Sequence, residues 1–280
     1  MTYKVYTPKS EESLLEKLME PGNIIMAGGT DLMVRLRKGI VLPEGVICMS
    51  RISEMNEIEN LGNKIRLGCN VTYSQILDSK IISKKSPLLV KAIRKIGSAQ
   101  IRNRGTLVGN IVNASPAGDS IVPMVLSSAK VNIRGPKGDR KLDVEDFILG
   151  PGKTALSVGE YVRSVEFEST NEWNCIFYKV GQRNAMTIAT ASVGILYKEN
   201  NIRIAFGSVS PTVVRAVKAE KLFKLHGIQG TRREEFIDKC LEYISPIDDV
   251  RASAWYRKEV IKGLIDRALN VIERGDGNAS

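Results

Sequence analysis

Apolar residues Leu14, Leu15, Leu18 and Met19 fall at helical spacing behind a capping Ser10, and Pro21-Gly22 closes the run, which predicts a first helix. The short apolar run Ile24-Ile25-Met26 predicts a strand that breaks off at Ala27-Gly28-Gly29-Thr30-Asp31, with a helical turn carrying Leu32, Met33 and Leu36 beyond it. Val46-Ile47-Cys48-Met49 reads as a buried strand, so the chain to about Glu57 has the β, α, β rhythm of a small mixed sheet. From Ile65 to about Val165 the pattern changes to helices under strands. Thr72 caps a turn with Ile76 and Leu77, and Leu88, Leu89, Ala92, Ile93 and Ile96 make an amphipathic helix after Pro87. Residues 97–119, rich in Gly, Asn, Ser and Pro with isolated Ile101, Leu107, Val108, Ile111 and Val112, predict a long packed binding loop. Two runs, 130–134 and 140–142, flank Gly135-Pro136-Lys137-Gly138 as a hairpin.

The polar stretch 169–173 marks a domain boundary. Beyond it 175–180, 187–197 and 202–208 read as strands, the last two paired as an antiparallel hairpin, followed by amphipathic helices over 215–225 and 254–272. The tail 275–280 reads as a frayed end. The expected class is α+β, with one domain over 1–168, divided into subdomains of about 1–57 and 58–168, and a second over 173–280.

Composition narrows the chemistry. With 280 residues, 43% hydrophobic and 26% charged, the chain is long enough for two self-supporting cores without staples or metals. Cys48, Cys69, Cys175 and Cys240 form no CxxC pair, which disfavours a zinc or iron–sulfur site, and His226, the only histidine, disfavours His-based nucleophilic catalysis. The start of the chain has no apolar core of a signal peptide, and no apolar run approaches the roughly 18 residues of a membrane span, so a soluble cytoplasmic protein is expected. Lys plus Arg number 41 against 31 acids, net +10, which admits nucleic acid, an acidic partner or a polyanionic cofactor. The basic residues form no run and are not interleaved with aromatics, which disfavours nucleic acid.

Two Gly-containing segments suit a diphosphate, because consecutive backbone N–H groups without side chains let an anion approach closely. In 27–31 Thr30 adds a hydroxyl donor; in 106–110 the Thr106 hydroxyl and the Asn110 amide add two more, and Asp119 can accept from a sugar hydroxyl. The GKT at 152–154 is a decoy, since Phe147 stands where a Walker loop requires Gly, and no GxGxxG follows a strand.

Six segments together, AGGTDL at 27–32, GSAQIRNRGT at 97–106, GNIVNASPAGD at 109–119, DFILGPGKT at 146–154, YKVGQR at 178–183 and RASAWYR at 251–257, resemble the FAD-binding (medium) subunit of the molybdenum hydroxylases: xanthine, carbon monoxide and nicotinate dehydrogenases and their relatives. The resemblance implies a vanillyl-alcohol-oxidase-like (PCMH-type) fold, with two subdomains clamping FAD and a C-terminal domain of a small antiparallel sheet plus helices. It makes Ile25, Met26, Ala27, Gly28, Gly29, Thr30, Asp31 and Leu32 the first pyrophosphate segment and Thr106, Leu107, Val108, Gly109 and Asn110 the second. Ile96, Asp119, Val162 and Lys179 are implied as further FAD contacts, and Val108 departs from a family pattern that has Gly there. It further implies a small [2Fe–2S] subunit and a large molybdopterin subunit as partners, in a dimer of heterotrimers, with FAD in this chain passing electrons to NAD or another acceptor. The xanthine dehydrogenase type, acting on purines or other N-heterocycles, is the expected substrate class. The alternatives are the carbon monoxide, nicotinate or aldehyde types and a stand-alone flavin reductase, for which no proton donor stands out. A basic scaffold without cofactor is a rival from another class.

Overall fold

The computed structural model describes residues 3–183, 186–230 and 232–275, without the side chains of 226–230. His226 therefore has no described side chain, and 276–280 of the expected frayed tail lie outside the described residues.

The first layer comprises β1 (Lys4–Tyr6), α1 (Glu11–Leu18), β2 (Asn23–Met26), α2 (Leu32–Arg37) and β3 (Gly45–Cys48). Ser10 caps α1 by accepting from the Ser13 N–H, as its position in the sequence suggests. The sheet is not mixed: β1 and β2 both pair parallel with the central β3, which helical crossovers allow and short hairpin turns do not. The second layer is built from β4 (Ile58–Leu61), β5 (Lys64–Gly68), α3 (Tyr73–Asp78), α4 (Lys80–Lys85), α5 (Pro87–Arg94), α6 (Ala99–Arg104), α7 (Leu107–Asn113) and α8 (Ile121–Leu126). It continues through β6 (Lys130–Gly135), β7 (Gly138–Asp143), α9 (Val144–Phe147), β8 (Ile148–Gly150), β9 (Lys153–Thr154) and β10 (Tyr161–Glu168). Its antiparallel sheet has the order β4-β5-β10-β6-β7, so β10 returns from far along the chain to the centre.

The long loop expected over 97–119 is instead largely helical. Ser98 and Thr106 accept from the Ile101 and Gly109 N–H groups and start α6 and α7, and Leu107, Val108 and Ile111 all face the core at helical spacing. Glycine and asparagine content disguised two capped helices as a loop. The 150–154 segment is the turn of the β8–β9 hairpin, with Gly152 at φ +68°, which is no phosphate loop.

The third layer carries β11 (Asn174–Gly181), β12 (Ala189–Lys198), β13 (Asn201–Gly207), β14 (Val214–Arg215), α10 (Val217–Gly230), α11 (Arg233–Leu241) and α12 (Ala254–Glu273). Both faces of this antiparallel sheet are covered, which is why β12 is buried almost end to end rather than alternating. One face joins a core continuous with the first two layers through Cys175, Phe177, Leu196 and Ala205; the other packs on α10–α12 through Ile195, Ile204, Phe223 and Ile265. The α+β organisation is thus the one expected, while the β4–β5 hairpin and α11 went unread.

The joint between the second and third layers depends on small residues. A Cβ on Gly194 would lie 2.5 Å from Val122 Cγ1 of α8, so glycine lets the helix sit directly on β12. Gly194→Ala should cost roughly 1–3 kcal/mol of stability through overpacking. Urea unfolding checks this, and Val122→Ala in the same chain should recover part of the loss.

Candidate functional site

The parallel strands β2 and β3 end side by side, Met26 opposite Cys48, and the chain then turns through Ala27-Gly28-Gly29-Thr30-Asp31 into α2. Gly28 is tightly constrained: a Cβ there would fall 1.8 Å from the Arg104 carbonyl oxygen at the end of α6. Only glycine permits this approach, and it brings the first expected segment against the residues that lead into the second. Gly29 holds φ +75°, a conformation that side chains other than Gly rarely adopt. Among the described residues, the amides of Gly28, Gly29, Thr30, Asp31 and Leu32 donate to no protein acceptor, so one short turn presents a row of free donors.

In the second segment Thr106 Oγ1 accepts from the Gly109 N–H at 2.9 Å, so that amide is committed to the cap, the bridge between Thr72 and Thr106 turns the Leu107 N–H toward the Val71 carbonyl, and the Val108 amide is the one left without a protein acceptor. Val108, where the family pattern has Gly, has its side chain buried in the core. Asn110 is oriented by residues the sequence reading missed. Ser120 Oγ donates to Asn110 Oδ1 at 2.8 Å, and Tyr73 OH, 2.9 Å from Ser120 Oγ, completes the chain. Tyr73 is fully buried, which pushes its hydroxyl well above the usual range and keeps it protonated.

Asp119 follows Gly118, where a Cβ would come within 2.8 Å of Asn110 Oδ1, and it stands beside Ser120. Its Oδ2 pairs with Lys179 Nζ of β11 at 2.5 Å, with the two side chains only 4% and 5% exposed. Lys179 also donates to the Lys95 carbonyl at 2.9 Å, so one ammonium ties the third layer to the α5–α6 turn and to Asp119. Burial raises the Asp119 carboxyl to about 6 despite the opposing pull of Lys179 and Lys95. Its other oxygen, Oδ1, is buried with no hydrogen-bond partner among the described residues. A charged oxygen in that state is costly unless a ligand supplies a donor.

The two remaining expected contacts are packed differently. Ile96 is half-buried against the core in the turn that Arg102 holds by donating to the Ile96 and Gly97 carbonyls at 2.9 Å each. Val162 lies in β10 opposite Ile133 and is 4% exposed, a core position beside Tyr161 and Arg163. Those two flanking residues meet Glu11 of α1, Arg163 at 3.1 Å and Tyr161 by a hydroxyl hydrogen bond, which fastens the first layer to the second. No grouping of His, Cys, Asp and Glu suited to a metal occurs among the described residues.

The donor set fits a diphosphate-bearing cofactor: free amides on a turn that cannot carry a Cβ at Gly28, and, beside Lys179, a buried carboxylate oxygen without a partner among the described residues. The segment between the two is strongly cationic. Residues 79–118 contain Lys80, Lys84, Lys85, Lys91, Arg94, Lys95, Arg102 and Arg104 and no acid. That background lowers the cost of holding an anion.

Comparison with known proteins bears on the same region. Residues 1–167 match the model described as the FAD binding domain in molybdopterin dehydrogenase, and 176–272 match the CO dehydrogenase flavoprotein C-terminal domain. The chain is 30% identical over 251 residues to the glyceraldehyde dehydrogenase medium chain of Sulfolobus acidocaldarius, covering 88% of this chain and 89% of that one. It is 26% identical over 254 residues to the xanthine dehydrogenase FAD-binding subunit of Escherichia coli O157:H7, covering 88% and 87%. Its fold superposes on a chain of carbon monoxide dehydrogenase from Hydrogenophaga pseudoflava with a TM-score of 0.89 at 26% identity, over 96% of both chains. With the two domain matches together spanning nearly the whole chain, the chain belongs to the family of FAD-binding medium subunits of the molybdenum hydroxylases.

Proposed function

We propose that the chain holds one FAD non-covalently between the 27–31 turn and the start of α7, and that it passes electrons from the [2Fe–2S] clusters of a small partner subunit to NAD or another acceptor. A large molybdopterin subunit would carry the substrate, the three assembling as a dimer of heterotrimers in the cytoplasm. The observation that carries the reading is the Gly28 contact with Arg104, because it brings two sequence-distant segments with free amides together. FAD, when bound, supplies the redox chemistry. The chain's own residues do the binding: amides of 28–32 and of Val108 toward the pyrophosphate, with Thr30 and Asn110 adding side-chain donors and Leu107 and Gly109 shaping the turn between them. Asp119 accepts from a hydroxyl through Oδ1 while Lys179 holds its Oδ2. Ile25, Met26, Ala27, Ile96 and Val162 serve as apolar walls or the packing behind them. The domain limits we use are 1–168 and 173–280.

Among substrate classes, the xanthine type expected from the sequence has support in the E. coli relative, and the aldehyde type has support in the glyceraldehyde dehydrogenase relative, which shares the higher identity. Both fit one FAD subunit, because the substrate is met on another polypeptide in this reading.

Gly29→Asp should abolish FAD binding by setting a like charge and a strained side chain at the pyrophosphate, whereas Gly29→Asn, which meets the same strain without the charge, should retain part of it. Fluorescence titration with FAD separates the two, and equal affinities would sink the assignment of this turn.

The Asp119 carboxyl gives a pH signature. Its folded value of about 6 lies above the ordinary 3.8, so ionising it opposes folding: the penalty is absent below 3.8, grows through the interval and is complete above 6. FAD affinity should run the other way, tightening as pH rises through about 6, because the carboxylate is the better acceptor. Asp119→Asn should flatten both profiles and weaken FAD by roughly tenfold to a hundredfold, the worth of one charged hydrogen bond. A pH-independent affinity in the unaltered chain would count against the role of Asp119.

The isolated chain should contain flavin and neither iron nor molybdenum, reduce an artificial dye with NADH, and hydroxylate nothing. Elemental analysis and a dye assay test this, and hydroxylation of xanthine, an aldehyde or CO by the chain alone would overturn it.

A further inference from the structure

Two of the sequence segments, 178–183 and 251–257, meet in a hydrogen-bonded knot through Gln182 and Arg251, residues that the cofactor site does not use. Asp249 accepts from the Arg251 and Ala252 N–H groups and from both the Arg251 and the Arg257 guanidinium, and Gln182 donates to the Arg251 carbonyl at 3.3 Å. Arg257, at the start of α12, is 2% exposed and is among the largest fully buried side chains. Its Nη1 donates to the Thr190 carbonyl at 2.6 Å and to the Ser208 carbonyl at 2.8 Å, pinning the first turn of β12 to the end of β13.

Stability alone is a poor reason for this arginine. Its Nε and the hydroxyl of Ser208 are both buried without a partner among the described residues, and a buried ion pair with unmet groups gains little over an apolar replacement. What the fork does supply is geometry. Ser208 sits at φ +66°, unfavourable for a residue with a Cβ, and it needs neighbours that hold it there. In that conformation its N–H donates to the Pro116 carbonyl at 2.9 Å, across the joint, in the turn that leads through Gly118 to Asp119.

We propose that Arg257 is a positioning residue for the cofactor site: through Ser208 it fixes the 115–118 turn and hence the place of Asp119. The inference rests on the FAD reading for its functional consequence and on the hydrogen-bond chain for its physical one. Lysine at 257 keeps the charge and can reach Asp249, but its single Nζ lacks the planar fork that spans two carbonyls and the carboxylate.

The test uses the full chain with Arg257→Lys, alone and together with Ser208→Gly, which adopts the left-handed conformation without needing to be held. FAD affinity is measured by fluorescence titration, and amide exchange is followed in the same proteins without FAD. The expected result is at least a tenfold loss of FAD affinity in Arg257→Lys and faster exchange of the Ser208, Gly118 and Ile121 amides, with β5 and β10 unchanged. The double variant should recover most of the affinity. Unchanged affinity and exchange in Arg257→Lys would overturn the proposal, as would faster exchange spread equally over β5 and β10, which marks a purely structural role. Failure of the unaltered chain to bind FAD would overturn the cofactor reading, while the exchange pattern would still decide whether Arg257 governs the 115–118 turn.

Discussion

Gly28 lies against the Arg104 carbonyl with no room for a methyl group, and the rest of the site follows from that contact. It presses the end of the parallel sheet onto the end of α6, so the free amides of 28–32 lie in the turn packed against the residues that lead into α7, although some eighty residues separate them in sequence. Neither segment alone is an anion site of consequence, since a short turn or a two-turn helix supplies too few donors. The close approach brings the two segments together, and Glu11, bridging to Tyr161 and Arg163, fastens the first layer to the second.

The third layer is part of the same construction. Lys179 reaches from β11 to neutralise Asp119 and to hold the Lys95 carbonyl, and Gly194 and Gly207 let α8 and the 115–118 turn settle on the sheet, where a Cβ at Gly207 would stand 2.6 Å from Ser192 Oγ and 3.1 Å from Val122 Cγ2. A buried carboxylate with one oxygen paired and one unmet is tolerable only where the second serves a ligand or is repeatedly neutralised by a proton, and burial does raise its affinity for that proton.

The strands, the capped helices and the α+β class were legible because they rest on local rules: alternation, helical spacing, Ser10 and Thr72 as caps, Gly135-Pro136-Lys137-Gly138 as a turn. The 97–119 stretch was misread because composition spoke for a loop while Ser98 and Thr106, read as loop residues, were caps. The segments proposed for the cofactor were legible through their motifs. Tyr73, Ser120 and Arg257 were not, since each acts over 10 or more positions of sequence, Tyr73 across 47 to Ser120 and Arg257 across 49 to Ser208. Nothing local distinguishes a tyrosine that will orient an asparagine through a serine from one that merely fills a core.

Charge placement joins these points. The acid-free run 79–118 ends at Asp119, the first carboxylate after eight cations, and that carboxylate is the one Lys179 neutralises. A surplus of positive charge in the chain favours a pyrophosphate over long range, whereas an unpaired carboxylate near it would repel it. The buried pair resolves the conflict: Lys179 cancels the charge of Asp119 while leaving Oδ1 free to accept a hydrogen bond. In the proposed site the third layer thereby allows an acidic side chain to serve an anionic cofactor, which gives a lysine that far along the chain a physical reason to pair with Asp119.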